Sequence, residues 1–318
     1  MQPRPLGSTG VVVSPITLGC NNPSNLLAPE ELERVIHAAV DLGIQLFDTA
    51  DVYGMGRCEE ILGRALGKRR DSVLVATKFS GRMGEGPNDG GASRLYVQKA
   101  LEASLRRLGT DVIDLYQLHA PDPATPVEET LSALDDLVRQ GKVRYVGLSN
   151  TAAWQVVEAE LLGRAARLHR FVTIQNRCNL YDLDAEHDTL QVTQRYGIGY
   201  LAHTPLAMGL LSGKYSPDGR GPRDARLSLD PNRAAAMLTP RNLALVAALH
   251  DLVDGTGQSM VQLALGTLLG TPGVTSAVCG ARTPTQLEAL VAACTEGIDD
   301  ETLGAAQRTR EAWSRGDA

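Results

Sequence analysis

The chain has 318 residues, of which 43% are hydrophobic, and it carries a formal net charge of -6 at pH 7. This length is enough for a full hydrophobic core. It also exceeds the usual size of one domain, but α/β barrels of such length commonly form a single domain. The negative charge, without any basic block, disfavours nucleic acid and acidic membrane surfaces as partners. We also find no apolar run of membrane-spanning length and no apolar signal-peptide core after Met1, so we expect a cytoplasmic protein.

The first half of the chain predicts a hairpin and then alternating strands and helices. Leu6 and the apolar run 11–13 flank a turn at 8–10, which predicts a hairpin over 4–18. Period-2 and short apolar runs predict strands at 16–19, 46–49, 73–77, 112–118 and 144–149. Helical periodicity with start and stop signals predicts helices at 29–42, 58–66, 93–108, 127–139 and 152–166. A glycine-rich loop over 81–91 has the length of a functional loop.

The second half continues the alternation and ends in extra helices. The predicted strands are 171–175, 198–204 and 275–279. The predicted helices are 185–196, 241–253, 260–269, 285–293 and a polar helix near 303–313. Between 205 and 240 the mixture of Pro, Gly, Arg and Asp predicts mostly loop.

Eight short, apolar strands alternating with helices are typical of parallel strands that are buried on both faces. They predict an α/β fold, a closed (β/α)8 TIM barrel with an N-terminal β-hairpin and extra C-terminal helices, in a single domain over 1–318. A doubly wound sheet is the alternative, which the lack of a G-x-G-x-x-G motif after any early strand weakens.

The cysteines follow no metal-binding or redox spacing. They are Cys20, Cys58, Cys178, Cys279 and Cys294, scattered without C-x-x-C. We expect reduced, mostly buried thiols and no zinc ligands or disulfides.

Polar residues lie at or just after many of the predicted strands. They are Asp48, Lys78, His119, Ser149, Asn150, Gln175 and His203. Each one alone could cap a turn or a helix. In a barrel, however, all the strand carboxyl ends open on one face, where the functional site is built. We therefore expect these side chains to converge.

Three of these candidates, together with Tyr53, suit proton donation to a carbonyl. Tyr53, in the loop after Asp48, has an ordinary pKa of about 10, which a nearby buried lysine such as Lys78 would lower. Asp48 would keep that lysine charged, and His119 could orient a carbonyl oxygen. The result is a general acid that needs a hydride source opposite it. A nicotinamide cofactor fits, with Asn150 and Gln175 as partners for its carboxamide.

Several motifs resemble the aldo-keto reductase family in the family's order, from Leu6 to about Leu290. The matching segments are 47–54 (FDTADVYG), 77–78 (TK), 117–119 (QLH), 146–150 (VGLSN), 205–215 (PLAMGLLSGKY) and 280–282 (GAR) with Gln286. Any one motif is weak, but so many in the same order are very specific.

The resemblance implies an NADPH-dependent bacterial reductase that uses NADPH/NADP+ and a small-molecule carbonyl substrate. It implies a catalytic tetrad of Asp48, Tyr53, Lys78 and His119, with Tyr53 as proton donor. It places Ser149, Asn150 and Gln175 at the nicotinamide. It implies that Leu206, Gly209, Leu211, Ser212 and Lys214 line the pyrophosphate, and that Gly280, Arg282 and Gln286 hold the adenosine end.

The sequence departs from the family pattern at three places. His203 stands where the family usually has a tyrosine stacked on nicotinamide, and its ordinary pKa of about 6.5 predicts a charge change near neutral pH. Ala289 and Leu290 replace the frequent Glu-Asn pair at the adenine, and Cys178 replaces an aromatic residue before Asn179. These changes predict modest cofactor affinity.

Other functions remain open at this point. The 87–91 loop and the chain length resemble those of bacterial family members that act on small aldehydes, pyridoxal or nucleotide-linked keto-sugars, so each of these substrates remains open. A Schiff-base aldolase could use Lys78. A redox-sensing regulatory protein could hold NADPH with slow turnover, as potassium-channel β subunits do. A metal hydrolase on His119, His203 and Asp48 lacks any H-x-H or H-E-x-x-H motif. The sequence leaves the physiological substrate and the oligomeric state open.

Overall fold

The computed structural model describes residues 1–21, 27–216 and 218–316. The chain begins with a two-stranded antiparallel hairpin, β1 (Arg4–Pro5) and β2 (Val12–Val13), as predicted. Eight parallel strands then close into a barrel, so the (β/α)8 prediction is confirmed. These strands are β3 (Ile16–Gly19), β4 (Leu46–Asp48), β5 (Leu74–Phe79), β6 (Ile113–Leu118), β7 (Val143–Ser149), β8 (Thr173–Arg177), β9 (Gly199–His203) and β10 (Val274–Cys279).

The barrel strands pair in sequence order, and β10 closes the ring against β3. Around them lie α1 (Pro29–Asp41), α2 (Arg57–Leu66), α3 (Arg94–Leu108), α4 (Val127–Arg139), α5 (Ala153–Ala166), α6 (His187–Tyr196), α7 (Pro231–Met237), α8 (Pro240–Val253), α9 (Met260–Gly270), α10 (Pro284–Glu296) and α11 (Asp300–Arg315). None of the described helices is both long and apolar enough to cross a bilayer.

The hairpin plugs the amino-terminal end of the barrel. Leu6 and Val13 join Leu46, Leu115 and Leu201 in a buried cluster inside the ring of strands. Gly7, between the hairpin strands, has a φ of +60°, and a Cβ there would lie 2.6 Å from the carbonyl oxygen of Val172. Only glycine tolerates both this conformation and this close approach. The amino-terminal end is therefore closed, and the opposite end is available for a site.

The segment between β9 and α8 is more ordered than the sequence predicts. A short 3-10 helix spans Ala207–Ser212, and α7 begins at Pro231 after the capping carboxylate of Asp230. Leu210 and Leu211 are fully buried in a second apolar cluster that also contains residues of α8 and α9. The prediction of mostly loop missed these turns because tertiary packing, rather than local periodicity, stabilises them.

Strand boundaries differ from the prediction at two functional positions. Lys78 lies inside β5 rather than just beyond it, and β8 extends two residues past Gln175. Both side chains consequently lie deeper in the barrel than strand-end residues would. This depth explains why Lys78 and Gln175 are almost completely buried.

Candidate active site

Asp48 and Lys78 form a buried ion pair at the carboxyl end of the barrel. Asp48 ends β4 and Lys78 lies on the neighbouring strand β5. Lys78 Nζ donates to Asp48 Oδ2 at 2.6 Å and to the carbonyl oxygen of Thr49 at 3.0 Å. Burial alone would lower the pKa of Lys78, but the charge and hydrogen bond of Asp48, together with Tyr53, raise it overall. Lys78 is therefore held as a cation.

Tyr53 reaches this pair from the loop after β4. Its hydroxyl accepts a hydrogen bond from Lys78 Nζ at 3.3 Å. Gly54 and Met55 follow with φ values of 59° and 54°, and this left-handed turn carries the chain away from the barrel into α2. Burial raises the pKa of Tyr53, and the positive charge of Lys78 offsets only part of that rise. The expectation of a lowered phenol pKa is thus wrong in its net direction, although the effect of Lys78 has the expected sign.

His119 lies beside the phenol, directly after β6. Its ring centroid is 5.7 Å from that of Tyr53, and the two planes are almost perpendicular at 82°. Burial, reinforced by the positive charge of Lys78, lowers the pKa of His119 to about 4. The imidazole is accordingly neutral at physiological pH and can donate one N–H. The structure thus brings together all four residues of the expected tetrad.

The second oxygen of Asp48 is held by two carboxamides. Gln175 Nε2 donates to Asp48 Oδ1 at 2.8 Å, and Gln117 Nε2 donates to the same oxygen at 3.1 Å. Gln175, which was expected at the nicotinamide, uses one N–H of its carboxamide on Asp48 and keeps its Oε1 as an acceptor. Gln117 lies in one of the matching motifs, but its sequence position predicted no role for it, because its contact with Asp48 crosses the barrel interior.

Asn150 and His203 are joined in a chain of hydrogen bonds at the rim. Asn150 has a φ of 50°, and its Nδ2 donates to the carbonyl oxygen of His119 at 2.9 Å and to Ser149 Oγ at 3.1 Å. Its Oδ1 lies 3.1 Å from His203 Nε2, while His203 Nδ1 lies 3.0 Å from Thr204 Oγ1. Because Asn150 Oδ1 can only accept, the proton of His203 is on Nε2.

The expectation that His203 changes charge near neutral pH is wrong. Burial, and then the positive charge of Lys78, lower the pKa of His203 to about 4. The imidazole is half-buried and has a hydrogen-bond partner at each nitrogen. It is therefore a neutral part of the rim at physiological pH.

The predicted pyrophosphate segment has an unusual backbone but a partly buried set of side chains. Ala207, Met208 and Gly209 have consecutive positive φ values of 47°, 59° and 96°. Such left-handed backbone in residues other than glycine occurs frequently at ligand clamps. The side chain of Leu211 lies in the core, and Ser212 Oγ donates to the carbonyl oxygen of Gly209. Of this predicted set, Leu206 is half-buried and Lys214 is exposed, so both can reach a ligand.

The predicted adenosine end lies between β10 and α10. Gly280 is exposed, and the Oε1 of the exposed Gln286 accepts from the backbone N–H of Arg282 at 2.9 Å. Arg282 Nη1 is 3.1 Å from Asp224 Oδ2, and its Nη2 donates to the carbonyl oxygen of Asp224 at 2.7 Å. Partial burial, together with the charge of Arg282, lowers the pKa of Lys214. The charged groups of Arg282, Asp224 and Lys214 thus interact at the predicted adenosine end.

Arg226 is a candidate that the sequence analysis missed. Its Nε is buried, and no described residue accepts a hydrogen bond from it. Burial lowers the pKa of Arg226; Arg233 and Arg282 lower it further, whereas Tyr53 raises it. The charges that act on the pKa of Arg226 thus include Arg282, at the expected adenosine end, Tyr53, at the expected catalytic end once its phenol is ionised, and Asp230, which raises it. The position of Arg226 in the irregular 205–240 segment gave no local signal.

The remaining departures also have clear positions. Cys178 is fully buried, and burial raises its pKa to about 12, so it is an unreactive core thiol. Leu290 is buried, whereas Ala289 is exposed. All five cysteines lie in the described part of the chain, and none of them is joined in a disulfide. Among the described residues, no group of three or more His, Cys, Asp or Glu side chains is arranged to hold a metal ion.

Comparison with known proteins agrees with this barrel. Residues 15–311 match the model of the Aldo/keto reductase family. An uncharacterized oxidoreductase, YrpG, from Bacillus subtilis is 36% identical over 309 residues, covering 94% of this chain and 92% of that protein. The L-glyceraldehyde 3-phosphate reductase of Escherichia coli is 36% identical over 300 residues, covering 91% and 86%. A probable voltage-gated potassium channel subunit beta of Oryza sativa subsp. japonica is 37% identical over 295 residues, covering 90% and 89%.

These relationships define an oxidoreductase built on a TIM barrel. The chain belongs to the aldo/keto reductase family.

Proposed function

We propose that this protein reduces an aldehyde or ketone to the alcohol with NADPH, with Tyr53 as the general acid. The observation that carries the proposal is the chain from Asp48 through Lys78 Nζ to the Tyr53 hydroxyl, with distances of 2.6 and 3.3 Å. The neutral imidazole of His119 lies beside that hydroxyl. A carbonyl oxygen placed between the two rings would meet one proton donor and one hydrogen-bond donor.

The residues at the rim fit a nicotinamide dinucleotide. The orphaned, buried Nε of Arg226 requires an acceptor, because a buried unpaired donor costs free energy. The pKa of Arg226 responds to the charges of both Tyr53 and Arg282, which supports placing it beside the phosphates that would join the two ends of a dinucleotide. Lys214 and the left-handed turn at 207–209 border the same path. We assign Arg226 and Lys214 to the pyrophosphate and Arg282 to the 2′-phosphate.

In this proposal the bound cofactor supplies hydride to the carbonyl carbon. Tyr53 gives its proton to the carbonyl oxygen as negative charge develops there. Lys78 stabilises the resulting phenolate, and Asp48 keeps Lys78 protonated and in place. His119 donates a hydrogen bond to the same oxygen in its neutral form, which its lowered pKa of about 4 favours. Ser149, Asn150, Gln175 and His203 would form the wall against which the nicotinamide lies.

A Schiff-base aldolase is disfavoured by the state of Lys78. Attack on a carbonyl requires a neutral amine, which burial in an apolar pocket produces in enzymes of that kind. Here Asp48 and Tyr53 raise the pKa of Lys78 despite its burial. Borohydride in the presence of a carbonyl substrate should therefore trap no adduct on Lys78.

A second candidate is a redox sensor with slow turnover, which the channel-subunit relatives favour. Such a sensor would hold NADPH tightly, and its hydride-transfer step would limit turnover. Stopped-flow measurement of the hydride-transfer step, compared with the rate of NADP+ release, separates the two functions. We expect rapid exchange, because Ala289 and Leu290 provide no side-chain hydrogen bond to adenine.

The test of the proposed function is a carbonyl panel in which the loss of NADPH absorbance is followed. The panel contains small aldehydes, glyceraldehyde 3-phosphate, pyridoxal and nucleotide-linked keto-sugars. We expect turnover with at least one member, together with the matching alcohol as product. Absence of turnover with every carbonyl, in protein that binds NADPH, would reject the reductase function and favour the sensor.

A further inference from the structure

Gln117 contacts the proposed catalytic group from inside the barrel. Its side chain is fully buried on β6, two residues before His119. Its Nε2 donates to Asp48 Oδ1 at 3.1 Å, on the opposite side of the carboxylate from Lys78. Gln175 donates to the same oxygen at 2.8 Å. Asp48 thus has three donors, of which only Lys78 is charged.

The barrel is shaped to admit this carboxamide. In the strand register, Gln117 pairs with Lys78 on β5 and with Gly147 on β7. A Cβ on Gly147 would lie 3.1 Å from Gln117 Cγ and 2.4 Å from Thr173 Oγ1. A larger residue at position 147 would therefore collide first with Thr173, and it would also press on the side chain of Gln117. The glycine leaves room beside the carboxamide that contacts Asp48.

Burying this carboxamide is costly, which makes an apolar residue the simpler choice for the barrel interior. Gln117 Oε1 is buried and has no hydrogen-bond partner among the described residues. A buried polar atom without a partner lowers stability. The hydrogen bond from Gln117 Nε2 to Asp48 offsets this cost. That bond also holds in place the carboxylate that pairs with Lys78.

We propose that Gln117 is a positioning residue that fixes the carboxylate of Asp48, and through it the ammonium of Lys78, beneath the phenol of Tyr53. This inference rests on the proposed reductase function. A neutral donor suits the position because it orients the carboxylate without adding a second cation that would compete with Lys78. Gln175 cannot substitute fully, because its outer oxygen is assigned to the nicotinamide and cofactor binding can draw that side chain away.

The first experiment compares Gln117→Leu with Thr173→Val. Both substitutions remove a polar group inside the barrel, but the hydroxyl of Thr173 has no hydrogen-bond partner among the described residues and donates nothing to Asp48. We expect kcat to fall about tenfold in Gln117→Leu, the size expected for a hydrogen bond to a charged group, with the Kd of NADPH within about twofold of wild type. Thr173→Val should keep kcat within about twofold.

The second experiment uses Gln117→Glu, whose effect must depend on pH. A protonated glutamic acid can still donate to Asp48, whereas an ionised one repels it. The kcat of this variant, divided by that of wild type at each pH, should fall as pH rises from about 5 to about 9. Packing alone would give a pH-independent ratio. A flat ratio overturns the proposal even if Gln117→Leu does not fold.

The third measurement separates this inference from the reductase function. Ultraviolet titration of the phenols, with Tyr53→Phe as reference, reports the pKa of Tyr53 without any turnover. Loss of the donor leaves the charge of Asp48 less balanced and Lys78 less fixed, so the pKa of Tyr53 should rise in Gln117→Leu but not in Thr173→Val. If the protein reduces no carbonyl, a shifted phenol still supports the positioning role. An unshifted phenol together with unchanged kcat rejects it.

Discussion

The two halves of the proposed active site, at the carboxyl end of the barrel, hold their charges in different ways. On the side of β4 to β6, Asp48 and Lys78 are almost completely buried and satisfy each other. On the side of β9 and β10, Arg282 pairs with Asp224, whose side chain is 80% exposed, and Arg226 pairs with no described carboxylate. The first half is preorganised without a ligand. Under the proposed function, the second half would exchange or complete its partners when the cofactor binds.

This difference leads to different expectations for substitutions. Changes in the buried half should affect the rate of the chemical step or the stability of the fold. Changes in the exposed half should affect affinity, because exposed ion pairs contribute little to stability. The following predictions test this division, beginning with the largest effect.

Tyr53→Phe should give the largest loss. The ring and its packing beside His119 remain, but the proton donor is removed. We expect kcat for carbonyl reduction to fall at least about a hundredfold, the usual size of general-acid catalysis, with NADPH affinity unchanged. Steady-state kinetics and a fluorescence titration of NADPH measure both quantities. Near-normal kcat would remove Tyr53 from this role.

Lys78→Met should damage both the chemistry and the fold. It leaves the carboxylate of Asp48 buried without its cation, which typically costs about 3 kcal/mol or more of unfolding free energy. It also removes the charge that lowers the pKa of Tyr53, so the high-pH limb of the reduction profile should move upward. Denaturant unfolding and a pH–kcat profile test these effects. The double variant Asp48→Asn with Lys78→Met should recover part of the stability without the activity.

The buried half was also the more predictable from sequence. Short apolar runs ending in Asp48, Lys78 and His119 predict strands, and a barrel brings the ends of successive strands together. Gln117 was missed because its contact with Asp48 crosses the barrel and depends on register rather than on sequence separation. The burial that sets the pKa of Tyr53 is equally invisible in a linear pattern.

The exposed half was predicted less completely. The turn at 207–212 and helix α7 depend on packing with α8 and α9, which no local periodicity reveals. Arg226 lies in the same segment, and no feature of the sequence distinguishes it from the other arginines there. Its buried, unpaired Nε distinguishes it, and that feature exists only in the folded chain. The partner of Arg282, Asp224, was unforeseen for the same reason.

Two arginine variants should divide the cofactor site into its parts. Arg226→Gln should weaken NADPH and NADH by the same factor, about tenfold, because both carry a pyrophosphate. Arg282→Ala should weaken NADPH by about tenfold and NADH by much less, because only NADPH carries the 2′-phosphate. Dissociation constants of both nucleotides, measured for wild type and both variants, provide the test. An unchanged NADPH-to-NADH ratio in Arg282→Ala would contradict its assignment to the 2′-phosphate.

The smallest expected effect concerns pH and His203. With a pKa of about 4, only about one molecule in a hundred carries a protonated His203 at pH 6. Because the imidazole stays neutral, the ratio of the NADP+ affinities of wild type and of His203→Tyr, which cannot gain a proton, should change less than about twofold between pH 6 and pH 8. The 2′-phosphate loses its second proton in the same interval, but it does so in both proteins and cancels in the ratio. The profiles should separate only below about pH 5, where imidazolium would repel the positive ring of NADP+.

The same group has a defined effect on stability. The unfolded chain, with an ordinary histidine pKa of about 6.5, binds the proton that folded His203 rejects down to about pH 4. The unfolded state therefore holds more protons in this interval, so the free energy of unfolding falls as pH decreases from about 6.5 to about 4. His119 contributes in the same direction, since its pKa is also about 4. Denaturant unfolding of wild type and His203→Tyr across this interval should show a shallower loss in the variant. An equal loss in both proteins would mean that His203 titrates normally, and that burial and the charge of Lys78 are too weak to keep it neutral.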